Sequence, residues 1–307
     1  MSAEIWAIGG GKGGSGKSFL TSGLAMYLAG MGKKVTLIDA DLGGANLHSI
    51  LKVKKPEHSL TDFFEKRVPL ADIIVETGIP NLQLIIGDIR TLAPDNVRYS
   101  QRLKLFRHIN TIGGDYVLID LGAGSSLITL DTFLQADKMI AVTLPELTSI
   151  DNLYHFLKKI LFRKLNIFLG SHFLKDAAKK AWKDRDKHHI KTIKHLIDHF
   201  KGISTEVSGM LGNEFSHFKV HVVVNQVRHD PHTQIGASIK SVIIKFFGIY
   251  ASYAGCINYH DSQWQYVDQP TPFLSMKEAR PILDEIGIIA RNLMEDGKEK
   301  IPGKSRR

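Results

Sequence analysis

Short apolar runs, most of them ending in Gly, Asp or Asn, recur along this chain, at residues 5–8, 35–38, 82–86, 117–119, 139–142 and 220–224. A strand with one wet face would alternate apolar and polar positions. These runs are predominantly apolar without such alternation, which predicts strands buried on both faces, as in a parallel sheet. Between them apolar residues repeat at helical spacing: Phe19, Leu20, Leu24, Tyr27 and Leu28; Leu103, Phe106, Ile109 and Ile112; Ile150, Leu153, Phe156, Leu157 and Ile160. Strand and helix in alternation predict an α/β fold with a doubly wound, mostly parallel sheet that binds ligands at the carboxyl ends of its strands. The rhythm breaks at about 163–202, a stretch rich in Lys and His without a buried-strand run, which reads as a basic helical insertion on the surface. Residues 296–307 read as a flexible tail. With no internal repeat and no low-complexity linker, residues 1–307 are expected to form a single domain with one elaboration.

Directly after the first run and directly before the first helical pattern comes Gly11-Lys12-Gly13-Gly14-Ser15-Gly16-Lys17-Ser18. This satisfies the phosphate-binding pattern G-x-x-x-x-G-K-[ST] in its proper strand and helix context. Glycines let successive backbone N–H groups turn inward around phosphate oxygens, and the following helix adds the positive end of its dipole. Lys17 is expected to neutralise β- and γ-phosphate charge, and the Ser18 hydroxyl to be a direct Mg²⁺ ligand. The expected cofactors are therefore ATP and Mg²⁺. After the second run stand Asp39 and Asp41, two carboxylates one residue apart, a spacing that sends both side chains to one side of a strand end. Asp39 is expected near the metal shell, and Asp41 to position the attacking water. The run at 117–119 leads into Asp120, expected to hold Mg²⁺ through water, and then into Gly122 and Gly124. The run at 220–224 ends in Asn225, whose amide offers a donor and an acceptor together.

With its second lysine at Lys12, the phosphate loop resembles the deviant Walker A motif K-G-G-x-G-K-[ST] of the MinD/ParA family. The stretch Leu37-Ile38-Asp39-Ala40-Asp41-Leu42-Gly43-Gly44-Ala45-Asn46 is similar to that family's first switch, most of all in its FlhG/FleN branch. Asp120-Leu121-Gly122-Ala123-Gly124 resembles its second switch, although Leu121 stands where a small or hydroxylated residue is usual. The resemblance implies a P-loop ATPase that forms an ATP-dependent homodimer, with Lys12 reaching the partner's phosphates in trans and Asn225 meeting the adenine edge. It implies slow ATP hydrolysis stimulated by a protein partner, in a switch that regulates the placement or number of a cellular machine such as flagella. A ParA-like, ATP-dependent DNA-binding partition ATPase is the alternative. A metabolic P-loop ligase or a metal-cluster carrier is a third class; the carrier is disfavoured because Cys256 is the sole cysteine.

Composition changes this picture in one respect. The formal net charge is +9, and between Lys158 and Lys201 thirteen basic residues face four acidic ones, which matches the excess of the whole chain. That segment is either a wet face or a contact for an anionic membrane surface, DNA or an acidic protein. Its histidines, His188, His189, His195 and His199, read as solvated rather than metal-binding. With no apolar stretch of spanning length and no secretory pattern, the chain is expected to be cytoplasmic, at most peripheral to a membrane or cell pole.

Overall fold

Among the described residues eight strands build one sheet: β1 (Glu4–Gly9), β2 (Val35–Asp39), β3 (Ile74–Glu76), β4 (Leu82–Ile85), β5 (Tyr116–Asp120), β6 (Lys138–Thr143), β7 (Lys219–Val227) and β8 (Tyr250–Asn258). Their order is β3-β4-β2-β5-β1-β6-β7-β8, and only the β3·β4 pairing is antiparallel. The computed structural model describes residues 2–41, 44–54, 56–66, 68–87, 105, 107–109, 111–171, 176, 180–181, 183–190, 193–202, 205–216, 218–228, 234–261 and 269–295. The α-helices with defined bounds among the described residues are α1 (Lys17–Gly30), α2 (Leu47–Ile50), α3 (Leu60–Glu65), α4 (Leu127–Gln135), α5 (Leu147–Ser171), α6 (Ile193–Lys201), α7 (Thr205–Ser216), α8 (Ile235–Phe247) and α9 (Arg280–Glu295).

Alternate side chains of each central strand enter opposite cores, which is why apolar residues fall on both faces instead of alternating with polar ones. In β1, Trp6 and Ile8 join Leu20, Leu24, Leu28, Ile286 and Ile289 beneath α1 and α9, while Ile5 and Ala7 join Phe133, Phe156 and Leu157 beneath α4 and α5. The doubly wound sandwich follows from that two-sided burial.

All six apolar runs lie on strands. Two further strands escaped the pattern for a physical reason. β8 is an edge strand in which Ala251, Ala254 and Ile257 are buried between more exposed neighbours and Tyr250 is exposed, so it has no continuous apolar run. β3 spans three residues, none of them fully buried. Of the helical patterns, the one at 103–112 is described only in part: residues 105 and 107–109 are helical, with Leu105 and Ile109 buried, while Leu103 and Phe106 lie outside the described residues. In the basic stretch, α5 runs on to Ser171, and Leu165, Phe168, Leu169, Ala181, Ile190, Ile197 and Phe200 are buried in the same core as the sheet face. Its charges therefore ride on an apolar underside continuous with the rest of the molecule. The tail at 296–307 lies outside the described residues.

Phe156 on α5 meets Phe133 on α4 edge to face, ring centroids 5.2 Å apart, and both are essentially without solvent contact. Removing one ring leaves a cavity that this close packing cannot collapse. Phe156→Ala is expected to destabilise the fold by about 3–5 kcal/mol, read from the midpoint of denaturant unfolding at unchanged slope.

Candidate functional site

β1 ends at Gly9, and residues 10–16 loop over to α1, which opens at Lys17. Gly16 has φ +84°, and a Cβ there would collide with the Asn225 side-chain amide, so only glycine fits this turn. Lys17 is buried, and its Nζ donates to the Lys12 carbonyl at 3.2 Å, back across the loop. Ser15 Oγ donates to the same carbonyl at 3.3 Å. The loop is braced from β7: Asn225 Nδ2 donates to the Ser15 carbonyl at 3.0 Å, and Asn225 Oδ1 accepts the Gln226 N–H at 2.9 Å.

The parallel register of β2 and β5 sets Asp39 directly opposite Asp120. Both are buried. Asp39 Oδ1 accepts the Asp41 N–H at 3.2 Å, and Oδ2 accepts the N–H groups of Asn46 and Leu47 at 2.9 and 3.0 Å. It thus ties down the segment that leads from β2 into α2. Asp120 accepts a bond from the Ser18 hydroxyl and, at 3.2 Å, one from Thr21 Oγ1. Asp41 leans over the loop after β5, where a Cβ on Gly122 would lie 2.9 Å from its Oδ1.

Burial dominates the electrostatics. It pushes Asp120 up to about 7, helped by the neighbouring Asp39 charge and opposed by the Ser18 hydroxyl, Lys17 and Thr21. It pushes Asp39 up to about 6 against the pull of its backbone N–H partners. Burial also lowers the Lys17 ammonium from its ordinary value, opposed by Asp120 and Asp41. Two acids and one base are therefore each biased toward neutrality, a condition that a polyanion and a divalent cation would reverse.

The structure brings Gly11, Gly13, Gly14, Ser15, Gly16, Lys17, Ser18, Asp39, Asp41, Asp120 and Asn225 to one end of the sheet, where β1, β2, β5 and β7 finish. Lys12 stands on the rim, its Nζ 3.7 Å from Glu146 Oε2, with both side chains roughly half-exposed. The donor set fits Mg²⁺: Ser18 and the two carboxylates are hard oxygen donors, and a magnesium ion takes its remaining ligands from phosphate and water. Three participants escaped the sequence reading. Thr21 lies three residues beyond Ser18 on α1, a spacing that puts both hydroxyls on one helical face and could have revealed it. Glu146 and the brace from Asn225 to Ser15 depend on long-range contacts with no local signature.

The sequence profile of the AAA domain family AAA_31 matches residues 3–169. Among curated relatives, the antiactivator FleN of Pseudomonas aeruginosa is 30% identical over 157 residues, covering 50% of this chain and 55% of FleN. The flagellum site-determining protein YlxH of Helicobacter pylori is 33% identical over 165 residues, 53% of this chain and 55% of YlxH. The chain thus spans about half the length of the curated relatives it matches. Among solved structures, the septum site-determining protein MinD of Pyrococcus horikoshii, complexed with Mg-ADP, superposes with a TM-score of 0.63 at 18% identity, over 98% of each chain. That likeness establishes the fold.

The raised carboxylates carry a pH signature. An acid whose folded value lies above its ordinary 3.8 binds its proton more tightly in the folded state. Its contribution favours folding at low pH and is lost as pH rises from about 4 to about 7 for Asp120. Asp120→Asn removes that loss. The ligand-free variant is expected to melt higher than the wild type at pH 8 and to match it near pH 4, while gaining less from added Mg²⁺ and ATP. Melting curves at both pH values check this.

Proposed function

We propose a function from one premise, that this chain belongs to the MinD/ParA family of P-loop ATPases: it is an ATP-binding and ATP-hydrolysing molecular switch that dimerises when loaded and regulates the placement or number of a cellular machine such as flagella. The observation that carries the reading is the joining of a glycine loop, a buried lysine and a hydroxyl-bonded Asp120 at the carboxyl ends of neighbouring parallel strands. That constellation suits a triphosphate and a hard cation. The names borne by FleN and YlxH support the flagellar part.

In this reading the backbone N–H groups of Gly11 to Ser18 grip the phosphates, and Lys17 neutralises the β- and γ-oxygens. Ser18 would hold Mg²⁺ directly, and Asp39 and Asp120 would act on it through water. When bound, the ion supplies positive charge that offsets the charge building on the phosphates. Asp41 accepts a hydrogen bond from the attacking water and turns its lone pair toward the γ-phosphorus. The bond from γ-phosphorus to the bridging oxygen breaks, its electron pair stays with ADP, and the water's protons pass to the released phosphate and solvent. Lys12 exchanges Glu146 for the phosphates of the second subunit. Asn225 reads the adenine edge with the second donor and second lone pair that its two existing bonds leave to the amide. Work of this kind belongs in the cytoplasm, with recruitment to a membrane or cell pole and a protein partner that speeds hydrolysis. Among the described residues no helix is long and apolar enough to cross a membrane.

The exposed lysines of the basic stretch, Lys158, Lys159, Lys180, Lys183 and Lys187, favour one second reading, ATP-dependent DNA binding as in a ParA-type partition ATPase. Salt-sensitive binding of duplex DNA in the ATP state, without effects on flagella, would select it.

Two substitutions test the switch. Lys12→Ala is expected to abolish ATP-dependent dimerisation in light scattering while leaving ATP binding in place; an unchanged dimer refutes the trans role. Asp41→Ala is expected to lower turnover roughly a hundredfold through loss of water positioning and to trap the ATP-bound dimer. Unaltered turnover would assign the water to another group.

A further inference from the structure

We propose, resting on the nucleotide reading above, that Thr21 is a positioning residue whose hydroxyl orients the Asp120 carboxylate toward the Mg²⁺ that accompanies a bound nucleotide. The two buried acids of the site are held in different ways. Asp39 receives three backbone N–H groups, from Asp41, Asn46 and Leu47, which survive a change of side chain. The hydrogen bonds that Asp120 receives come instead from two side-chain hydroxyls, those of Ser18 and Thr21. Ser18 is also the residue expected to meet the cation, so its hydroxyl is not committed to Asp120 alone. Thr21 is without solvent contact and acts through Asp120 only.

A carboxylate turns easily about its Cβ–Cγ bond, a broad torsion. To act on a cation through water, Asp120 must keep its free lone pairs aimed at one place. Thr21 Oγ1 stands 3.2 Å from Asp120 Oδ1 and 2.8 Å from the Lys17 carbonyl, one helical turn back. The hydroxyl has one proton for these two acceptors, and the bond to a charged oxygen is the stronger kind. Lying between an acceptor on either side, Oγ1 is kept in one rotamer whichever of them takes the proton. Its height above the sheet is fixed as well, because Leu20, Leu24 and Leu28 of the same helix are buried in the core beneath. Ser22, the next residue of α1, is equally buried, yet its hydroxyl donates to the Phe19 carbonyl at 3.0 Å instead of to a carboxylate.

The affinity of the full chain for ADP, measured by calorimetry with EDTA and with Mg²⁺, tests this. The wild type is expected to bind ADP more tightly with Mg²⁺. Thr21→Val keeps the shape and loses the hydroxyl. It is expected to match the wild type in EDTA and to lose about tenfold or more of the gain from Mg²⁺. Thr21→Ala, without the branched side chain, is expected to show the same loss. Thr21→Ser restores the hydroxyl and is expected to recover the gain, and Ser22→Ala is expected to keep it. The inference is overturned if Thr21→Val and Thr21→Ala gain from Mg²⁺ as the wild type does, or if Thr21→Ser or Ser22→Ala loses as much as they do. In each of these cases the wild type's own response leaves the nucleotide reading standing. A wild type that binds ADP equally with and without Mg²⁺ also overturns the inference, and one that ignores ADP in both media removes the nucleotide reading together with it.

Discussion

Asp39 and Asp120 stand side by side at the ends of β2 and β5, in register and out of water, and the rest of the site answers the free-energy cost of keeping them there. Three backbone N–H groups converge on Asp39, two hydroxyls on Asp120, and Lys17 supplies the nearest buried positive charge. None of these partners belongs to the two strands themselves. They come from α1 and from the segment that leads out of β2 into the first residue of α2. Burial of two like charges therefore links four pieces of chain, and a change of charge at this point is felt by all of them.

That linkage explains why so much of the site was legible in the sequence. Gly11 to Ser18 must be contiguous to wrap a phosphate, and Asp39 and Asp120 must each close an apolar run, since a parallel strand buried on both faces can end in a carboxylate only where the sheet's edge offers partners. Contiguity and strand ends are local features that a reader of sequence can see. Lys12 was legible for the same reason, through its place in the loop. Its neighbour Glu146 was not, because it approaches from the end of β6, more than a hundred residues away, with only its charge as a signal. Thr21 was missed although helical spacing from Ser18 pointed to it. β8 went unrecognised because an edge strand need not be apolar on consecutive positions, and polar and small residues interrupt it.

The family profile stops at residue 169, yet the sheet does not. β7, α8, β8 and α9 extend it beyond β6, and β7 sends Asn225 back under the phosphate loop. The chain's second half is thus built into the site by one side chain that touches the Ser15 carbonyl, while Gly16 keeps the space that this contact needs. A substitution in β7 would reach the loop through that amide, without any contact of its own with a bound phosphate.

The rim is governed by a different balance from the buried pair. Lys12 and Glu146 lie 3.7 Å apart and are both well exposed, so water and salt screen their attraction, and such pairs contribute little to stability. A lysine held that loosely can be drawn away by a denser array of negative charge without a large opposing term. Lys17 differs in every respect: it is buried, bonded to the loop carbonyl and biased toward neutrality. The two lysines of one eight-residue loop are therefore suited to different tasks by solvent exposure alone, one fixed within its own chain and one available to a second.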